Sequence, residues 1–359
     1  MKKIFYLFLI VKIGFLSAQI DSKNLYQDWY AVKIEMKDGS KPFLKKPTYF
    51  LNYGFRIDKD SYRFDEINKL QQKQSSPIPY VLRNDEMQTS PESALVIEKL
   101  NKDSLILSQS IKNIAENDLT RYYLGSLKKL KQERLAQFKG KDTLISNPIL
   151  NPPFKNNLSK KDIKSAKMVS LPENKRKNFR LNGFILLDVK NRKAEGFLED
   201  FNPEFKVENK NVLSNLTGNF NDWDVSQFRD FKFIKVPFSY LQFYQIEKTL
   251  ISFGEIYSLN IADYDLVPSN KITLGSPNVE SADYFEAAVK AYKKNKLKDA
   301  ARLFEKSFQS NERNLNAYYN FAEISFRLHN SEKACEIYQF LIDEGQKPAV
   351  KEFNQKCVK

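Results

Sequence analysis

Two cysteines, Cys335 and Cys357, and one histidine, His329, are all this chain offers of the side chains that most often act as nucleophiles, proton shuttles and metal ligands. A lone imidazole cannot form the usual metal pair, and it falls in a turn where it is expected only to end a helix. Carboxylates are plentiful, with 44 Asp and Glu, yet no spacing nominates a pair for glycoside chemistry. No glycine-rich phosphate loop, Gly-x-Ser-x-Gly elbow, His-Glu-x-x-His or Cys-x-x-Cys run occurs. The 11 glycines in 359 residues argue further against a nucleotide cradle. The expectation is a protein that is not an enzyme, with no catalytic residue, cofactor or metal.

The compartment decides what the cysteines do. Lys2 and Lys3 open the chain, residues 4–15 form an apolar run, and Leu16, Ser17 and Ala18 supply a small-residue exit. That order reads as a signal peptide over residues 1–18, cleaved after Ala18 to leave Gln19 first. The run is interrupted by Lys12 and is shorter than the roughly 20 residues of a membrane span. The chain is therefore expected in the periplasm of a Gram-negative-type bacterium, or secreted. In an exported chain, two cysteines this near in sequence read most simply as a Cys335–Cys357 disulfide, with two buried thiols as the alternative. The closed loop would add about 3 kcal/mol in the entropic account.

The elements that carry these residues come last in the chain. Tyr284 recurs as Tyr318, Ala288 as Ala322, Ala300 as Ala334 and Phe304 as Tyr338. In each copy the Ala-x-x-x-aromatic step puts a small and a large side chain on one helix face, which lets two helices pack closely. The period and residue types resemble the tetratricopeptide repeat, a helical hairpin of 34 residues. That resemblance implies a stack over residues 281–359 whose concave face binds a peptide or helix. Ala288 and Ala322 replace the family's glycine. Residues 349–357, after Pro348, are expected to form the cap that such a stack needs.

Upstream the pattern is β. Trp29 to Met36 alternates, Lys37 to Ser40 supplies a turn, and further strands are expected at 48–53, 55–64, 93–100, 104–108 and 119–124. The early Trp29, the Asp38-Gly39 turn, the Leu105 to Ser108 run and the late Arg121-Tyr122-Tyr123 resemble lipocalin-like domains of exported bacterial proteins. There the late arginine stacks on the early tryptophan at the closed end, so the resemblance implies Trp29 and Arg121 as barrel-closure residues. Asp28 stands where that family has glycine. The domain is placed at 22–125, followed by a helix and basic linker over 126–178 rich in Pro, Asn, Lys and Ser.

From Phe179 the order is strand (183–189), turn, strand (194–201), helix (207–220) and a late strand (231–241) around Val236-Pro237-Phe238. This β-β-α-β order, with Trp223 after the helix, resembles the C-terminal domain of TonB-type proteins. That family contacts outer-membrane transporters, partly by lending a strand edge to a short peptide. The domain is placed at 179–255 and a linker at 256–280.

The net charge of +14 suits anionic partners such as lipopolysaccharide or acidic lipid, but the cations are spread along the chain as on a solvated Lys-rich surface. With 42% hydrophobic and 13% aromatic residues, the composition is globular. The expected fold is multidomain α+β: an N-terminal antiparallel β-barrel or sandwich, a small β-β-α-β domain and C-terminal helical hairpins. The expected function is a non-enzymatic envelope scaffold whose repeats bind an envelope protein or peptide, outer-membrane proteins among the candidates. Nucleic acid is not an expected partner, and membrane association is peripheral at most. A periplasmic carrier with a small apolar ligand in the barrel is the alternative.

Overall fold

The computed structural model describes residues 22–42, 53–66, 76–155, 179–247, 250–259 and 277–358. The signal segment, residues 48–52 of the strand expected at 48–53, residues 156–178 of the basic linker and residues 260–276 of the linker expected at 256–280 lie outside the described residues. Of that last linker, 256–259 belong to a strand and 277–280 to a helix. The fold is mixed α+β: a nearly closed antiparallel sheet, a smaller sheet, and five helices in series.

After one helical turn, α1 (Ser22–Leu25), come β1 (Asp28–Met36), β2 (Tyr53–Ile57), β3 (Ser61–Glu66), β4 (Ile78–Pro79), β5 (Val81–Arg83), β6 (Glu86–Ser90), β7 (Ser93–Leu100), β8 (Ser104–Ile111) and β9 (Thr120–Ser126). Their spatial order is β4-β3-β2-β1-β9-β8-β7-β6-β5. The two end strands are separated in sequence by Tyr80 alone, so the chain itself spans the seam. Tyr80 is buried; its N–H donates to the Asp60 carbonyl at 2.9 Å and its hydroxyl to that of Asp58 at 2.6 Å. The single strand expected at 55–64 is two, because Asp58 to Asp60 turn the chain between β2 and β3. The inward positions are filled by Trp29, Phe55, Ile57, Met87, Leu105 and Leu107, each at most 3% exposed.

Helix α2 (Leu127–Ala136) lies on the outside of this sheet, with Leu130 against Gly125, while Leu135 and Phe138 reach the next core. There β10 (Thr143–Ile145), β11 (Phe179–Asp188), β12 (Lys193–Phe201), α3 (Lys206–Thr217), β13 (Phe233–Glu247) and β14 (Leu250–Leu259) build a five-stranded sheet with one helix against it. The expected β-β-α-β order is present as β11-β12-α3-β13. One correction concerns the linker: residues 143–145 pair in parallel with β13, and Leu144 and Leu150 are buried in this core. Strict alternation along β11 sends Phe179, Leu181, Ile185 and Leu187 to the core side. Trp223 is 2% exposed, donates its indole N–H to the Leu216 carbonyl at 2.9 Å and meets Phe154 edge to face.

Helices α4 (Pro277–Lys293), α5 (Leu297–Ser310), α6 (Leu315–Arg327), α7 (Ser331–Asp343) and α8 (Lys347–Lys356) pack each against the next. Gly345 ends α7 in the left-handed conformation, φ +81°, which L side chains rarely adopt. The first and last parts of the chain meet at this corner. Lys41 N–H donates to the Gly345 carbonyl at 3.1 Å, and Gln346 Nε2 donates back to the Lys41 carbonyl at 2.9 Å. Ser40 Oγ accepts from Lys347 N–H at 2.9 Å. Gln346, at the N-cap position of α8, makes no capping bond with its own side chain. A hydroxyl from the turn after β1 therefore caps the last helix from some 300 residues away. Ser40→Ala is expected to cost about 1 kcal/mol, the usual worth of a capping hydroxyl. Faster amide exchange at Lys347, Ala349 and Val350, with the β1 ladder unchanged, would check it.

Candidate functional site

The repeated residues form the floor of the helical stack. Ala288, Ala300 and Phe304 lie in one cluster, and Tyr318, Ala322, Ala334 and Tyr338 in the next, all nearly inaccessible to water. Tyr284 is half-buried, with the Lys306 ammonium 5.4 Å above its ring. A buried polar lock joins α4 to α5: Ser281 Oγ donates to the Ser307 carbonyl and Ser307 Oγ to that of Ser281, both at 2.8 Å. Asn314, which caps α6, adds its Nδ2 to Ser307 Oγ at 2.9 Å. Every hydroxyl in this lock has a partner, so its hydrogen bonds offset the cost of burying polar groups while they fix helix register.

Above that floor a row of side chains crosses three helices. Tyr292 of α4, 38% exposed, has the Arg327 guanidinium of α6 over its ring at 5.3 Å. One turn back on α6, Glu323 accepts from the Lys356 ammonium of α8 and, at 2.5 Å, from the Tyr338 hydroxyl of α7. Lys356 in turn pairs with Glu352 at 2.9 Å. Burial pushes the Glu323 carboxyl up, but the hydrogen bonds from Lys356 and Tyr338 and the nearby Arg327 outweigh it and hold its pKa below the ordinary value. Burial, reinforced by the hydrogen bond to Glu323, raises that of Tyr338. A depressed carboxylate pKa stabilises the fold above its unfolded value, and that contribution disappears as pH falls through the folded one. Acidification from about pH 5 to about pH 3 should therefore loosen α8 more in the natural protein than in Glu323→Gln. Amide exchange of α8 in the two proteins across that range measures it.

No protein-family model and no curated protein matches this chain.

Cys335 of α7 and Cys357, at the end of α8, are joined as a disulfide. His329 takes φ +59° just beyond α6, where the helix stops. The structure does not bring Trp29 and Arg121 together. In the β1/β9 ladder Trp29 lies opposite Ser126, whereas Arg121 lies opposite Glu35, roughly 20 Å further along the strand. Trp29 donates its indole N–H to the Leu25 carbonyl at 3.0 Å inside the sheet. Arg121 sits on the outer surface between Glu35 at 3.4 Å and Glu98 at 2.9 Å. Its nearest counter-charges answer the guanidinium better than a buried ring facing the other side of the sheet. Among the described residues, no three His, Cys, Asp or Glu side chains gather as metal ligands do.

The row Tyr292–Arg327–Glu323–Lys356 was not singled out by sequence. One signal for it existed: Glu323 and Arg327 stand four apart and so share a helix face.

Proposed function

We propose that the protein is a non-enzymatic, exported envelope protein that works as a scaffold, holding a partner's peptide or helix on the face formed by α4, α6 and α8. The supporting observation is the row Tyr292, Arg327, Glu323 and Lys356, which lies across three helices over a floor of buried alanines. It offers an aromatic anchor beside alternating charges, the composition of an interface centre with a polar rim. On this reading the helical hairpins are tetratricopeptide-like, the N-terminal sheet is lipocalin-like and the second unit TonB-C-like, the latter two serving to dock and orient the stack. The carrier alternative has less support, since large apolar side chains occupy the inward positions of the sheet.

The test is capture of partners from an envelope extract by the full mature chain and by Tyr292→Ala/Arg327→Glu. Loss of one or two specific proteins from the variant, amounting to at least about tenfold weaker capture, is the expected result for a centre of this kind. An unchanged bound set would remove the face from consideration. The mature chain recovered from the periplasmic fraction should begin at Gln19; a cytoplasmic chain starting at Met1 would end the envelope reading.

A further inference from the structure

A cleft of about 1010 Å³ opens where β11 ends and β13 begins, at one end of the second sheet. Three chain segments wall it, and each contributes cations. Lys155 follows a short bridge in which Lys155 N–H donates to the Asp222 carbonyl at 2.6 Å and Asp224 N–H to that of Pro153 at 2.7 Å. The turn between β11 and β12 supplies Lys190 and Arg192. Asp188 holds that turn by accepting from Asn191 N–H at 2.9 Å, and Arg192 takes φ +54° within it. The segment entering β13 supplies Arg229 and Lys232 and is pinned by Lys232 N–H to the Asp142 carbonyl at 2.9 Å.

Five basic residues thus line one cleft whose lining includes only two acidic ones, Asp224 and Asp230, although the Lys232 ammonium lies over the Phe233 ring at 5.1 Å. Asp224 is already engaged: it accepts from Ser226 N–H at 3.1 Å and lies 3.7 Å from Lys155. Among the described residues, Lys190 and Arg229 are in no ion pair. The Arg192 guanidinium is held in place, 5.3 Å over the Phe220 ring and bonded to Asn221 Oδ1. Gathering like charges around a concavity raises their mutual repulsion unless an anion enters, and the concave wall focuses the field that attracts it.

We propose that this cleft binds a ligand bearing more than one phosphate group. A volume of this size exceeds what one phosphate fills and matches a phosphorylated sugar or similar polar body. The fork of Arg192 suits bidentate phosphate contact, and the lysines act as point charges around it. Val189, Val225 and Phe231 provide apolar wall for the body of the ligand. The same chemistry occurs in soluble phosphorylated compounds and in phosphorylated lipid headgroups.

The experiment uses the full mature chain, with inorganic tripolyphosphate as the calorimetric probe. Phosphatidylcholine vesicles with and without phosphatidic acid form the second arm. Arg192→Gln/Arg229→Gln should weaken tripolyphosphate binding at least about tenfold, as expected for removing charge-assisted contacts. Lys294→Gln/Lys298→Gln, which removes the same charge from the helical stack, should leave it unchanged. Lys190→Gln, whose side chain has no ion pair to lose, should also weaken binding and guards against misfolding of the double variant. Cleft-dependent retention on phosphatidic acid vesicles assigns the headgroup source, and binding of tripolyphosphate alone assigns the soluble one. Absence of tripolyphosphate binding, or equal weakening by both double variants, overturns the proposal.

Discussion

Trp29→Ala is expected to unfold the N-terminal sheet at temperatures where the natural protein is intact, at a cost of about 4 kcal/mol. The indole is fully buried, the largest such side chain in its cluster, and no neighbour can move in without breaking the ladders on both sides of β1. Truncation removes the apolar contacts, leaves a cavity, and strips the Leu25 carbonyl of its indole donor. That carbonyl keeps its bond from Gln27 N–H at 3.0 Å, and Leu25 itself is buried, so α1 loses one of several anchors. Trp29→Phe keeps most of the volume and gives up the hydrogen bond, so about 1–2 kcal/mol is the expected loss. The chain's other tryptophan, Trp223, lies in the second core. Fluorescence of Trp29→Ala therefore reports the second unit alone, while amide exchange over β1 and β9 reports the first. Protection in β1 and β9 within about 1 kcal/mol of the natural protein would contradict this account.

Cys335→Ser, or reduction of the natural protein, is the second large effect. The entropic value of a loop this size is about 3 kcal/mol. The consequence here is wider than chain entropy, because α8 is held by three different ties: the disulfide, the Glu323–Lys356 ion pair and the Ser40 cap. Releasing the C-terminal tie lets the other two fray together, so losses at neighbouring sites will not add simply. Exchange protection of α8 should fall roughly 150-fold, in step with about 3 kcal/mol at about 1.4 kcal/mol per factor of ten. Reductant should produce no further change in Cys335→Ser. If α8 exchanges at the same rate in the two proteins, the packing of Ala349 and Phe353 alone holds the helix.

What sequence could and could not reveal follows the range of the interactions. The alternation of β1 and the Ala-aromatic steps of the helices are local patterns, and both appear as elements where they were expected. Strands β4 and β5 are two and three residues long and flank Tyr80, with Pro79 inside β4, too short for any alternation to register; they exist through pairings with β3 and β6. Thr143 to Ile145 sits among turn formers and becomes a strand only by pairing with β13, some 90 residues later. The separation of Trp29 from Arg121 is a matter of ladder register, which residue types do not encode by themselves. The phosphate cleft draws cations from three segments, so each looks like an ordinary solvated charge when read along the chain.

The Ser40 cap also has a consequence in time. A chain is made from its N-terminus at about 5–20 residues per second, so the turn after β1 exists roughly 15–60 s before Gly345 and Lys347 do. The N-terminal strands can pair during that interval, yet the loop that leaves them stays unseated until the last helix is made. Synthesis as far as Lys347 is thus a condition for completing the contacts of Ser40 and Lys41. Any chain stopped short of Gly345 would carry a loop with bare hydrogen-bonding groups, a local mark by which unfinished molecules differ from finished ones.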